Sequence, residues 1–236
     1  MKTIGIIGGI APESTVVYYK EIVKSFLDLN KENNYPQIII NSINMKEMLD
    51  YLASNDLDGL THYLLGEINK LEKAGADFGL LASNTPHIVF DRVMRDSPIP
   101  LLSIVELACR KAETMKLKRA GLFGTKFTMK NTFYKDAFSL KDILIITPDE
   151  ESQEFIHRIY FDELVKGVFK DDTKSSLLKI VGKLKAVDNI DGLVLGGTEL
   201  PLILKPKDGD IPFLDTTKIH VEGIMEYLMN DNMYDN

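Results

Sequence analysis

Short apolar runs that stop at small polar residues, each followed by a stretch of helical periodicity, recur along this chain. Thr3 to Gly9 (TIGIIGG) is a β-branched run ending in two glycines, and Glu13-Ser14-Thr15 opens an amphipathic helix to about Leu29. Gln37 to Asn41 predicts a second short buried strand. After Asn44-Met45-Lys46-Glu47 a long helical stretch runs to about Ala74. Phe78 to Ala82 is a third strand; it meets Ser83-Asn84-Thr85, and an apolar helical pattern starts at Pro86, a first-turn position that suits proline. Pro98 and Pro100 bracket a turn into Leu101-Leu102-Ser103, ahead of a helix carrying Glu106, Cys109 and Lys111.

The pattern then restarts. Arg119 to Gly124 (RAGLFG) predicts a strand running into Thr125-Lys126-Phe127-Thr128 and a helix. Ile143 to Thr147 is a strand, and Pro148-Asp149-Glu150-Glu151 opens a helix with the acidic first turn that the helix dipole favours. Another helix runs from about Thr173 to Lys185. Gly192 to Gly196 (GLVLG) is a strand ending at Gly197-Thr198-Glu199. Pro212 to Asp215 and a helix from Thr217 finish the pattern, and 230–236 is expected to be a frayed tail.

Gly9 and Thr125 are separated by nearly the same distance as Ser83 and Gly197. Two matching offsets imply two similar halves of about 115 residues, an ordinary domain size. Strands alternating with helices make a parallel, doubly wound sheet in each half the default. The expected fold class is α/β, with two pseudo-symmetric Rossmann- or flavodoxin-like domains, each a parallel sheet flanked by helices. Halves that face each other would gather all four strand-end loops in one cleft. The domains are drawn at 1–99 plus 212–236, and 100–211.

Composition narrows the function. With 44% hydrophobic and 27% charged residues in 236, the chain can bury a proper core. A net charge of −7 argues against a nucleic-acid surface, which needs clustered Lys and Arg. Cys109 is the one cysteine, so an internal disulfide and a Cys-based zinc site are excluded. No signal peptide or membrane-length apolar run is visible, and a cytoplasmic protein is expected.

In open α/β sheets ligands sit at the carboxyl ends of strands, against the helix N-termini that follow. Ser83, Asn84 and Thr85 stand at such an end, either to hold a small anion or simply to cap the helix. Gly5-x-x-Gly8-Gly9 lacks the G-x-G-x-x-G spacing of a dinucleotide loop, and no P-loop or G-x-S-x-G elbow is present. His62, His87, His157 and His220 show no metal-ligand spacing, so no metal site is expected. His87 is an acid/base candidate or a packed residue. Cys109 sits beside Leu107 and Ala108, as a small core residue would. Lys166 before Gly167 suits a helix end, or a substrate carboxylate.

These blocks, taken in order, resemble the aspartate/glutamate racemase family of cofactor-independent amino-acid racemases. The resemblance covers nearly the whole chain: MKTIGIIGG with Glu13-Ser14-Thr15 and Tyr18-Tyr19, Gly75-Ala76-Asp77, Ser83-Asn84-Thr85-Pro86-His87, GLFGTKFTM with Phe133-Tyr134, Phe161-Asp162-Glu163-Leu164, Lys166-Gly167, Leu195 to Leu200, and Phe213-Leu214-Asp215-Thr216. It implies two α/β domains with the active site between them, a homodimer, no cofactor, and a small anionic substrate such as an acidic amino acid or dicarboxylate. Family members invert Cα with two cysteines, one in the equivalent loop of each half, whose reference pKa of about 8.5 lets them act as thiolates. In this chain the first cysteine position is Ser83 and the second is Gly197. A serine hydroxyl is a far weaker acid than a thiol, and glycine carries no proton donor at all. Two-thiol racemisation is therefore excluded.

The substrate-holding positions implied by the resemblance are present: Gly9, Asn84, Thr85, Thr125, Thr128, Thr198 and Glu199, with Lys166 about one residue from a family lysine. The segment Asn41 to Met48 does not line up with family members that place an arginine there. Three readings follow: a racemase-like proton transfer at Cα using Ser83 with another group such as His87 or water, a lyase or decarboxylase that protonates one face only, or a dicarboxylate-binding protein without catalysis.

Overall fold

The computed structural model describes residues 1–29 and 34–229, so the expected tail at 230–236 lies outside the described residues. The glycine-punctuated apolar runs become the inner strands of two sheets. Ile4–Gly8 (β1), Ile38–Ser42 (β2), Phe78–Leu81 (β3) and Leu101–Leu102 (β4) form the first, in the order β2-β1-β3-β4. All of its pairings are parallel, with Ile4 opposite both Ile38 and Phe78, and Gly79 opposite Leu101. Parallel neighbours require crossovers. Pro12–Leu29 (α1) follows β1; Met45–Ala53 (α2) and Leu57–Lys73 (α3) follow β2; a 3-10 turn at Thr85–Val89 and Phe90–Asp96 (α4) follow β3. β1 and β3 are buried at every position, which is why they read as unbroken apolar runs. At the edge, β2 is only partly buried.

The one long helix expected between Asn44 and Ala74 is in fact two. The Ser54 hydroxyl donates to the Asp50 carbonyl at 2.9 Å, Asn55 adopts a left-handed φ of 54°, and Asp56 accepts the Gly59 N–H at 2.8 Å. Three successive residues that prefer turns and caps outweigh the apolar spacing running across them. The helix expected from Pro86 likewise starts as a 3-10 turn and becomes α-helical only at Phe90.

The second sheet repeats the first in strand order. After Ile104–Thr114 (α5) come Arg119–Gly124 (β5), Lys126–Lys130 (α6), Phe133–Ser139 (α7) and Leu144–Ile146 (β6). Glu150–Asp162 (α8), a 3-10 turn at Leu164–Lys166 and Asp171–Asp188 (α9) lead to Gly192–Gly196 (β7). Leu200–Ile203 (α10) precedes Phe213–Asp215 (β8), and Thr216–Met229 (α11) ends the described chain. The order is β6-β5-β7-β8, wholly parallel. Phe123, Ile156, Tyr160, Leu177, Leu193 and Leu195 share one apolar core in this half. At the head of α8, Asp149 accepts the Ser152 N–H at 2.9 Å and caps the helix.

The chain divides into two compact units, Met1–Ser103 with the stretch from His220 onward, and Ile104–Ile219. β4 pairs into the first sheet and β8 into the second. The junctions therefore fall a few residues later than the boundaries drawn from sequence at 99/100 and 211/212. Strands this short are assigned by their pairing partner, which no local pattern encodes.

Candidate functional site

In the first unit the loops after β1 and β3 lie side by side, because their strands are neighbours. The Ala82 N–H donates to Ile7 O at 2.9 Å, and the Ser14 hydroxyl donates to Ala11 O at 2.8 Å and to Ala82 O at 3.3 Å, tying the two loops together. Gly9 turns the chain with φ +83°, and its N–H donates to the Thr15 hydroxyl at 2.8 Å. A Cβ on Gly9 would press on the Ile43 carbonyl and lie 2.9 Å from both Ile43 N and Ser42 Oγ. Left-handed strain and a backbone collision act together there, so Gly9→Ala is expected to lower stability by about 2–4 kcal/mol. Chemical denaturation of the purified variant measures it.

Ser83, Asn84, Thr85 and His87 are all buried at the end of β3. The side chain of Asn84 makes no capping bond to the turn that follows, so the simple capping account fails for this residue. His87 is 3% exposed and stacks on Phe90 at 4.6 Å between ring centroids. Neither of its ring nitrogens meets a hydrogen-bond partner among the described residues. Burial, reinforced by the nearby His220, pushes its pKa down to about 3, against a weaker opposing pull from the Ser83 and Asn84 backbone. A ring so held is neutral at pH 7 and accepts a proton poorly. His220, also pushed by burial to about 3, bonds Tyr18 Oη through Nδ1 at 2.8 Å and Leu102 O through Nε2 at 3.1 Å. The carbonyl can only accept, so Nε2 carries the hydrogen and Nδ1 accepts from the phenol.

The second unit builds the corresponding arrangement at the ends of β5 and β7. Thr125 caps α6: its hydroxyl accepts the Thr128 N–H at 3.3 Å and lies 3.2 Å from the Thr128 hydroxyl. A Cβ on Gly124 would sit 2.7 Å from Gly196 O, so the two strand ends touch backbone to backbone. Gly197, Thr198 and Glu199 follow β7 directly. The Glu199 carboxylate is 1% exposed and accepts from the Thr198 hydroxyl at 2.9 Å and from the Tyr160 hydroxyl.

Tyr160 comes from α8 and was not singled out from sequence. Within Ile156, Ile159 and Tyr160 it reads as one more core position on a helical stripe. A Cβ built on Gly197 would lie 2.5 Å from Tyr160 Cε2 and 3.0 Å from its hydroxyl oxygen. The phenol thus occupies the space of a side chain at position 197. Burial first, then the Glu199 charge, raise its pKa well above the ordinary tyrosine value, so the hydroxyl keeps its proton.

The structure brings Ser83, Asn84, Thr85 and His87 together beside the Gly9 loop, and Thr125 and Thr128 beside Gly197, Thr198 and Glu199. Lys166 is an exposed residue that ends the 3-10 turn after α8, before Gly167 with φ +72°. Cys109 packs inside α5, where burial pushes its thiol up to about 11, and it lies at none of these loops. Among the described residues no cluster of three or more His, Cys, Asp or Glu could hold a metal ion, and no helix is long and apolar enough to cross a membrane.

Comparison with known proteins bears on the family and the fold. The family model described as Asp/Glu/hydantoin racemase matches residues 7–224. The chain is 23% identical over 228 residues to the broad specificity amino-acid racemase RacX of Bacillus subtilis, covering 91% of this chain and 92% of that one. Among solved structures, an aspartate racemase homologue from Pyrococcus horikoshii OT3 superposes with a TM-score of 0.85 at 35% identity, covering 98% of this chain and 100% of that one. The aspartate racemase of Picrophilus torridus gives 0.75 at 23% identity over 96% and 94%, a likeness of fold. With a match running from β1 into α11, this chain belongs to the Asp/Glu/hydantoin racemase family.

Proposed function

We propose that the protein moves a proton at Cα of an acidic amino acid or a related dicarboxylate, without a pyridoxal cofactor, as a homodimer in the cytoplasm. The observation that carries this reading is the lining of the strand-end loops. The first unit ends its two inner strands in Gly8-Gly9 and Ser83-Asn84-Thr85, and the second ends its own in Gly124-Thr125 and Gly196-Gly197-Thr198, residues whose backbone N–H groups and hydroxyls can bond carboxylates. This reading assigns carboxylate binding to Asn84, Thr85 and the Gly9 loop in the first unit and to Thr125, Thr128 and Thr198 in the second, and a positive charge to Lys166. The carboxylate of Glu199 suits the ammonium group.

Ser83 takes the first proton-transfer role in this reading. Its hydroxyl is a poor acid, so this role requires negative charge to be stabilised on its oxygen. His87, neutral and buried, acts by shaping the pocket around Ser83 more than by carrying a proton. A second reading has one specific support: Gly197 offers no proton donor, which suits a lyase or decarboxylase that protonates a single face.

Loss of the α-proton signal of aspartate or glutamate in D2O, followed by NMR with purified protein, tests the proposal. Exchange supports it, and no exchange at high enzyme concentration for any acidic amino acid removes it. Products seen by mass spectrometry from a dicarboxylate panel would move the assignment to the lyase. Thermal stabilisation by a ligand that is never turned over would leave a binding protein. Ser83→Ala is expected to slow exchange of one enantiomer about 10²–10⁴-fold while unfolding free energy changes by less than about 1 kcal/mol; rate and denaturation measurements on one preparation check both.

A further inference from the structure

We propose that the Tyr160 hydroxyl, seated where a side chain on Gly197 would project and bonded to Glu199, is the second unit's proton donor to the substrate's Cα. The inference rests on the proton-transfer reading above. Three observations converge on it. The first is the exchange of space: a Cβ at position 197 and the Tyr160 ring exclude each other, at 2.5 Å from Cε2 and 3.0 Å from Oη. A chain that lacks a side chain on this loop has brought a hydroxyl to the same place from α8. The second is the choice of partner. A phenol that only filled core volume would be satisfied by any backbone carbonyl. This one is aimed at a carboxylate that is itself buried and adjacent to Thr198, an arrangement that costs desolvation and serves to hold a proton. The third is location: the pair stands at the carboxyl end of an inner parallel strand, where α/β sheets bind ligands. The raised affinity of the phenol for its proton fits a group that stays protonated until a carbanion draws on it.

The step balances. In the reading above, the Ser83 hydroxyl first loses its proton to solvent, the resulting alkoxide takes the α-proton of one enantiomer, and the electron pair of the broken C–H bond remains on Cα and its carboxylate. The O–H bond of Tyr160 then breaks as its proton forms the new C–H bond, leaving a phenolate. Glu199 passes a proton from solvent back to the phenolate. One proton enters and one leaves in each turnover.

Exchange of the α-proton in D2O is measured separately from L- and D-aspartate and from L- and D-glutamate, on the full chain. Tyr160→Phe is expected to slow exchange of one enantiomer by about 100-fold or more and to spare the other, while Ser83→Ala does the reverse. Equal losses for both enantiomers, or no loss, would overturn the assignment. Should Tyr160→Phe fail to fold, fluorinated tyrosine at position 160 keeps the shape and changes only the acidity of the hydroxyl. The rate for that same enantiomer then changes with each added fluorine; rates indifferent to fluorination overturn the assignment. A wild-type chain that exchanges neither enantiomer removes the proposed function and this inference with it. A wild-type chain that exchanges both, with Tyr160→Phe unaltered, removes this inference alone.

Discussion

Gly197→Cys alone is expected to destabilise the protein by about 1–3 kcal/mol, and Tyr160→Ala alone by about 3–5 kcal/mol, while the double variant costs less than their sum. In the single cysteine variant the new Cβ meets the Tyr160 ring edge at 2.5 Å. The ring has little room to yield: its hydroxyl is bound to Glu199, Phe161 packs against it edge-on at 5.7 Å, and Ile156 and Leu195 belong to the same core. Tyr160→Ala opens a cavity in that core and takes a donor from a buried carboxylate, two losses that add. With both changes, the cysteine side chain enters the space the ring has left. The coupling in a double-mutant cycle is expected at about 1–2 kcal/mol in favour of the pair, well beyond the about 0.5 kcal/mol within which independent sites add. Urea denaturation of the four proteins measures it. Simple additivity would mean that position 197 and Tyr160 do not compete for one place.

The second large effect is on acid stability. His87 and His220 are buried and neutral, with pKa values near 3 against about 6.5 in an unfolded chain. Their folded-state values are depressed, so below pH 6.5 the unfolded chain binds protons that the native one refuses. The stability they confer is complete above that pH and is lost as the pH falls from 6.5 toward 3. Each contributes a slope of about 1.4 kcal/mol per pH unit. Two such groups compete with a total stability of about 5–15 kcal/mol, so the protein is expected to unfold well above pH 3. Thermal midpoints measured from pH 7.5 to pH 4.5 follow this. His87→Leu, which removes a ring whose nitrogens lack partners among the described residues, is expected to flatten the slope by about half and to raise stability at pH 5. His220→Gln flattens it too, at the cost of the bonds to Tyr18 and Leu102. An unchanged slope in both variants would show that other groups govern the acid transition.

Much of the fold was legible because buried parallel strands announce themselves. TIGIIGG, RAGLFG and GLVLG are unbroken apolar runs ending in glycine, and each became an inner strand or its end. The break between α2 and α3 was hidden, since apolar spacing continues across Ser54, Asn55 and Asp56 while hydrogen bonds local to those residues end one helix and cap the next. Strands as short as β4 and β8 carry no mark of the sheet they join. The candidate loops were legible as strand ends, and the resemblance gave their positions meaning. Tyr160 was not: on its helix it is one more apolar-stripe residue, and only the fold brings its ring into the void beside Gly197. A glycine where the resemblance implies a reactive side chain is itself a signal, because close-packed interiors fill such a void from elsewhere. The pairing of Tyr18 with His220 was out of reach for the same reason: it joins α1 to α11 across most of the sequence.

The central claim, proton transfer at Cα of an acidic amino acid, is tested most directly by optical progress curves. Pure L- and pure D-aspartate, and likewise the two glutamates, are incubated with the protein and resolved by chiral chromatography. The account predicts that curves begun from opposite enantiomers converge on an equal mixture, and that Tyr160→Phe and Ser83→Ala each prevent convergence. Curves that stay at their starting values with the wild-type chain would contradict it.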